Sequence, residues 1–182
     1  MNILAISGSL RASSTISTLL RATIALAPAG MTFTIYDGLA DLPHFAPDLT
    51  DTPPAPVTDL REKLQEADGV LICTPEYAYS MPGALKNAFE WTVSSAEFMG
   101  KPVAAISASP YPTGGERAHA SLLLTLTAVN AEIVEGASLT VPLVRTKMDA
   151  NGSISDDATV RALRSVLDAL ADAITRHENE AR

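Results

Sequence analysis

The sequence predicts a doubly wound α/β fold, a three-layer sandwich in which helices cover both faces of a five-stranded parallel sheet. Three observations carry that prediction. Apolar runs alternate with helical periodicities along the chain. The runs ILAI (Ile3–Ile6) and VLIC (Val70–Cys73) are continuously apolar rather than alternating, as expected of strands buried on both faces. The chain has 182 residues, 47% of them hydrophobic, enough for one substantial core and too few to favour a second full-sized domain. A single domain over residues 1–182 is therefore expected.

In chain order, Asn2–Ile6 is a strand, Ile16–Ala27 a helix, Thr32–Tyr36 a strand, and Thr58–Ala67 a helix with Leu60 and Leu64 four apart. Gly69–Thr74 is a strand, Pro82–Val93 a helix, Val103–Ser107 a strand and Glu116–Val129 a helix. A less distinct strand falls within Ala137–Val141, and a last helix spans about Asp156–His177. Two stretches resist assignment: Asp41–Pro56, with five of the twelve prolines, and Leu143–Ser155, where Asn151-Gly152 marks a turn. Both are loops rather than linkers, and long loops in compact domains are often functional or interfacial.

Composition removes several classes of function. The net charge is -8 and the basic residues form no run, so nucleic acid and anionic membrane surfaces are not expected partners. No apolar stretch approaches the roughly 20 residues of a membrane span. The chain starts directly into a strand pattern without a basic leader or cleavage site, which predicts a cytoplasmic protein. Cys73 is the only cysteine; it permits no disulfide framework, CxxC pair or multi-cysteine metal site, and fits a small buried hydrophobe near a strand end. His44, His119 and His177 lie far apart with no metal-type spacing; no metal is assigned and surface positions are expected.

The chemistry gathers in three loops that follow strands. The first runs from Ser7 to Ser17, between a buried strand and a helix. A helix N-terminus presents unpaired N–H groups and the positive end of a dipole, which suits an anion. Gly8 permits a tight turn, serine hydroxyls add donors, and Arg11 adds a fixed charge for phosphate oxygens. The same hydroxyls, Ser13 or Ser14, serve equally as an N-cap without any ligand. The loop is neither GxxxxGK[ST] nor GxGxxG, so a nucleoside triphosphatase and a standard dinucleotide-binding domain lose support while a mononucleotide phosphate remains.

The second loop, Thr74 to Gly83, leads into a helix with Pro82 in its first turn and Ser80 or Met81 as cap. Tyr77 and Tyr79 offer flat faces, and the amides around Glu76–Ala78 suit the polar edge of a planar heterocycle; a proline-stiffened connector with core aromatics is the plainer alternative. In the strand order 2-1-3-4-5 the crevice lies between strands one and three, which makes these two loops neighbours. The third loop, Ser107 to Arg117, leaves strand four on the same edge. Its Gly114-Gly115 pair either allows close approach of backbone to a ligand or only bends the chain into the next helix, and Arg117 is expected in solvent.

With these loops in view the chain resembles, almost end to end, the NADPH-dependent FMN reductase family of flavodoxin-like proteins, whose members include quinone, azo-dye and chromate reductases. The resemblance is carried by GSLR (Gly8–Arg11) with Ser14, by LPHFAPD (Leu42–Asp48), by TPEYAYSMPGALKNAFEW (Thr74–Trp91), and by KPVAAIS followed by GGERA (Lys101–Ala118). It implies that Ser9, Arg11, Ser14, Thr15, Ile16 and Ser17 hold the FMN phosphate, that Pro75, Glu76, Tyr77 and Ala78 line the isoalloxazine, and that Ser109, Gly114 and Gly115 complete the wall. It also implies two-electron reduction, in which NADPH or NADH gives hydride to FMN and a quinone, azo compound or free flavin takes the electrons. The cofactor supplies the difficult chemistry, so no catalytic proton-transfer residue is named. A flavodoxin-type electron carrier, or a flavin-binding protein without reductase turnover, is the alternative.

A phosphate-accepting receiver domain of the same topology would need acids at the end of the first strand, where Ser7-Gly8-Ser9 stands instead. Three positions depart from the family pattern: Ile16 replaces Asn, Ala78 replaces the Asn of TPEYN, and Tyr111 between Pro110 and Pro112 replaces a glycine-containing turn. Loss of one neutral hydrogen bond costs about 1 kcal/mol, roughly fivefold in affinity, which weakens flavin binding without abolishing it. The bulk of Tyr111 is expected to alter which acceptor reaches the flavin. The family resemblance further implies a homodimer or homotetramer with flavin sites at subunit boundaries, and makes the Asp41–Pro56 loop with Phe45 and the helix near Trp91 candidate contacts. No clamp for a 2′-phosphate is recognisable, so NADH and NADPH are not distinguished.

Overall fold

A computed structural model describes residues 1–11 and 13–180 of the chain; Ala12 of the first loop lies outside them. The elements run β1 (Asn2–Ser7), α1 (Thr15–Ile24), β2 (Thr32–Tyr36), α2 (Ala55–Glu66), β3 (Gly69–Thr74), α3 (Gly83–Glu90), β4 (Pro102–Ala108), α4 (Glu116–Ala128), β5 (Glu132–Val141) and α5 (Asp157–Glu180). All neighbouring strands pair in parallel in the order β2-β1-β3-β4-β5, the flavodoxin-like topology expected.

Every residue of β3 and β4 is buried, which is why their sequences read as unbroken apolar runs. Strand pleating sends alternate side chains to opposite faces. Leu4, Ile6, Val70, Ile72, Val103 and Ala105 face α2, α3 and α4, while Ile3, Ala5, Leu71, Cys73, Ala104 and Ile106 face α1 and α5. Full burial of a Leu or Ile side chain contributes about 1.5–3 kcal/mol, so these two apolar layers hold the sheet and fix its C-terminal edge. Among the described residues, no helix is long and apolar enough to cross a membrane.

Several boundaries differ from the sequence expectation. β5 begins at Glu132 rather than within Ala137–Val141; Glu135 and Gly136 break the apolar pattern of its first half and so hide the earlier start. Val103 pairs with Ile133 but Ala105 with Ser138, so a bulge interrupts the ladder, and Gly136 sits there at φ +83° where glycine alone is unstrained. α2 starts at Ala55, with Pro54 in the cap position and Pro56 inside the first turn, where proline removes no needed hydrogen bond. α3 starts at Gly83; Pro82 occupies the cap position and no side chain caps the helix, so neither Ser80 nor Met81 has that role.

The Asp41–Pro56 loop is tied down from within. Asn87 accepts the Phe45 N–H (2.8 Å) and donates to the Pro43 carbonyl, which also receives the Trp91 indole N–H (2.9 Å). Phe45 meets the Trp91 ring edge-on with centroids 5.1 Å apart, and Trp91 is fully buried. Trp91 and Phe45 thus pack on each other within the subunit. Cys73 is completely buried, as expected. His119 is not a surface residue: it is half-buried, its Nε2 bonds the Ser138 hydroxyl at 2.7 Å, and burial pushes its pKa below the ordinary value.

Candidate functional site

The strands deliver four loops to the C-terminal edge of the sheet, and hydrogen bonds link them. In the first loop, the Gly8 N–H donates to the Cys73 carbonyl at 2.8 Å, and a Cβ on Gly8 would lie 2.8 Å from the Thr74 hydroxyl. That glycine is required by close packing on β3. Three serines brace the loop internally: the Ser7 and Ser17 hydroxyls bond each other at 2.9 Å, Ser7 Oγ accepts from the Ser9 N–H, and Ser9 Oγ accepts from the Arg11 N–H. Ser14 is the N-cap of α1, its hydroxyl accepting from the Ile16 N–H at 3.1 Å. Ile16 is buried in the α1/α5 layer and brings only hydrocarbon to this region.

In the second loop, Tyr77 and Ser80 exchange backbone hydrogen bonds of 2.9 and 3.0 Å around Ala78 and Tyr79. Both central residues have positive φ, +50° and +61°, the signature of a primed two-residue turn that favours Asn or Gly. Ala78 therefore stands in backbone geometry that its side chain disfavours. Ahead of this turn, Glu76 performs a task that lies outside its own loop. Its Oε2 accepts the N–H groups of Arg117 and Ala118 at 3.0 and 3.1 Å, capping α4, whose own N-cap residue Gly115 has no side chain to do so. The Arg117 guanidinium lies 4.5 Å over the Tyr79 ring, a cation–π contact made by a side chain that is exposed, as expected.

Gly114 and Gly115 take φ +63° and +79°. A Cβ on Gly114 would approach the Pro142 nitrogen to 3.0 Å, and the Gly114 carbonyl accepts from the Ser107 hydroxyl. The pair therefore makes the bend into α4 and packs on the end of β5. Further out, the Ser109 hydroxyl accepts from the Tyr111 N–H at 3.1 Å, leaving the Tyr111 ring 70% exposed. The segment after β5 is fastened to this loop, as Leu143 N–H donates to the Tyr111 carbonyl and Val144 N–H to the Ser109 carbonyl.

Together these loops enclose a cleft of about 270 Å³. Of the residues singled out in sequence, Arg11, Ser14, Thr15, Ile16, Pro75, Glu76, Tyr77 and Ser109 line it, and so does Tyr111. Ser9, Ser17, Ala78, Gly114 and Gly115 do not; they shape the loops behind it. Val144 and Arg145 line the cleft and escaped individual notice in the sequence, although their loop was marked as one to watch. Among the described residues neither Arg11 nor Arg145 forms an ion pair with a carboxylate, so an anion entering the cleft meets uncommitted positive charge. The flat apolar surfaces of Pro75, Tyr77, Pro110 and Tyr111 stand alongside that charge. This donor set fits a ligand that joins a phosphate to a planar ring.

Known proteins place this geometry in a family. The solved structure of FerB, a flavoenzyme NAD(P)H:(acceptor) oxidoreductase from Paracoccus denitrificans, superposes with a TM-score of 0.85 at 31% identity, over 97% of this chain and 98% of FerB. A flavodoxin, WrbA-like protein from Agrobacterium tumefaciens shares the fold at 15% identity, with a TM-score of 0.62 over 94% of this chain and 96% of that one. An NAD(P)H-dependent FMN reductase of Pseudomonas aeruginosa is 36% identical over 174 residues, 93% of either chain. A quinone reductase of Escherichia coli is 32% identical over 97% of this chain and 96% of its own. The sequence pattern of the NADPH-dependent FMN reductases matches residues 1–145, and with these relatives it shows that the chain belongs to the NADPH-dependent FMN reductase family.

Proposed function

We propose that this chain binds FMN in the cleft at the C-terminal edge of its sheet and uses NADPH or NADH to reduce a small-molecule acceptor of the quinone class. The observation that carries the reading is the convergence of Arg11, Ser14 and Thr15 with Pro75, Tyr77 and Ser109 on one cleft at the β1/β3 switch point, where ligands of doubly wound folds bind. Full-length relatives named as FMN and quinone reductases support it.

When bound, FMN supplies two-electron transfer between a nicotinamide and an acceptor. The protein's part is to bind and orient. Arg11, the Ser14 hydroxyl and the first-turn amides of α1 hold the phosphate, with the α1 dipole adding to the attraction. Pro75 and Tyr77 cover the ring, Ser109 offers its polar atoms to the ring edge, and Glu76 keeps the second and third loops at a fixed separation through α4. Ser9, Ser17, Ala78, Gly114 and Gly115 belong to this proposal as residues that shape the loops. Tyr111 at the mouth limits which acceptor enters.

The proposed assembly is a homodimer or homotetramer. The surface that supports it is a hollow of about 560 Å³ between α3 and α4, beside which Tyr79, Val93 and Leu124 are more than half exposed. The functional test is spectroscopic: the purified chain should be yellow and release FMN on denaturation, and NADPH oxidation should depend on added quinone. Stoichiometric FMN without NAD(P)H oxidation would favour the electron-carrier alternative instead.

A further inference from the structure

We propose that Arg145 is a second phosphate-binding cation of this cleft and that it, together with Arg11, makes the chain select FMN over riboflavin. The inference rests on the FMN reading above and assigns a residue that the motifs do not reach.

Arg11 and Arg145 are far apart in sequence, yet both line the cleft and both line the adjoining hollow formed with Ser13, Thr15 and Thr18. Both arginines are exposed and border the same two hollows, so an anion seated there lies between two positive side chains of different loops. The acid that lines that hollow, Asp149, is already engaged, its Oδ1 accepting the Asn151 and Ser153 N–H groups at 2.8 and 2.9 Å. Asp156 is similarly occupied by the Thr159 N–H and hydroxyl. Among the described residues neither carboxylate forms an ion pair with Arg11 or Arg145, Asp156 pairing with Lys147 instead, and Glu76 on the cleft wall directs Oε2 to the α4 amides, which leaves two arginines for a phosphate monoester.

The backbone that presents Arg145 is held firmly. Leu143 adopts φ +52°, a costly left-handed conformation for a branched residue. It is retained there by the Leu143 to Tyr111 and Val144 to Ser109 hydrogen bonds. Val144 is buried in the same apolar layer as Ile16, which fixes the loop against the start of α1. Gly152, farther along, packs so tightly on α1 that a Cβ would come within 2.6 Å of the Thr18 methyl. Ile16 brings no side-chain donor to this end of the cleft, and Arg145 reaches the space from the neighbouring loop instead.

The test compares dissociation constants of FMN and riboflavin, read by flavin fluorescence, for the full-length protein and its Arg145→Ala, Arg145→Lys and Arg11→Ala variants. Loss of a charge-assisted contact predicts FMN binding weakened about 10- to 100-fold in Arg145→Ala. Riboflavin binding should stay within about twofold, since riboflavin has no phosphate to lose the contact. Arg145→Lys should recover part of the loss by keeping the charge, and Arg11→Ala should show the same FMN-selective defect. Unchanged FMN affinity in Arg145→Ala, or equal weakening of both flavins, overturns the assignment. So does an effect confined to the KM for NADPH relative to NADH, which would place the contact on the dinucleotide. A wild-type protein that binds neither flavin would overturn the FMN reading together with this one, and is distinguished by that first measurement.

Discussion

Replacing Glu76 by Ala should destabilise the fold from inside the site. Its carboxylate accepts two backbone N–H groups, from Arg117 and Ala118, at the start of α4. The α4 N-cap is a glycine in left-handed geometry with no side-chain bond of its own, so no other side chain takes over. Loss of an N-cap acceptor costs about 0.5–2 kcal/mol. Loss of negative charge at the positive end of a helix adds about 0.3–1 kcal/mol. With two bonds broken, roughly 1.5–2.5 kcal/mol is expected, which for a domain of this size lowers Tm by roughly 3–10 °C. Glu76→Gln keeps one oxygen acceptor and should lose about half as much. Urea unfolding is the assay, with the midpoint shifted and the slope unchanged. Because the same contact spaces the second and third loops, FMN affinity should fall in parallel. A Glu76→Ala variant within about 0.5 kcal/mol of wild type would refute the claim that Glu76 serves as the missing cap.

Three further outcomes follow from named contacts. Tyr111→Gly should change relative rates across a panel of quinones and azo dyes, because its ring is 70% exposed while lining the cleft; identical rates across the panel would remove Tyr111 as a gate. Ala78→Asn should stabilise the chain by about 0.5–1 kcal/mol, measured by urea unfolding, because Asn tolerates the positive φ that Ala78 now adopts; a neutral or destabilising change would show that the turn is unstrained. Burial pushes the Cys73 thiol up to about 12, so it stays protonated through the physiological range and should ignore thiol reagents until the protein unfolds; rapid labelling of the native protein would contradict its position in β3.

The sheet was legible in the sequence because β3 and β4 are covered on both faces and so carry no polar interruption. The start of β5 was not, since Glu132, Glu135 and Gly136 break the apolar pattern at an edge strand whose register depends on a bulge. The early start of α2 was hidden by Pro54 and Pro56, which signal a loop yet fit a first helical turn. In the site, the first two loops were recognisable because their chemistry is local: hydroxyls, one arginine and two tyrosines follow directly on apolar strands. The task of Glu76 was invisible because its partners lie 41 and 42 residues away. Arg145 was hidden for a related reason. Only the left-handed turn at Leu143 and its bonds to the β4 loop bring that segment back over α1. The serines were identified as a group but divided by the structure, with Ser14 on the cleft and Ser9 and Ser17 bracing the loop behind it.

The central claim is that this cleft holds FMN and passes electrons from a nicotinamide to an acceptor. Its most direct test is an anaerobic titration of the purified, FMN-loaded protein with NADPH, followed by one equivalent of a quinone, recorded by visible absorbance. The flavin absorbance is expected to bleach with NADPH and to return with the quinone. Flavin that stays bound but is not bleached, or a protein that takes up no FMN, would contradict the claim.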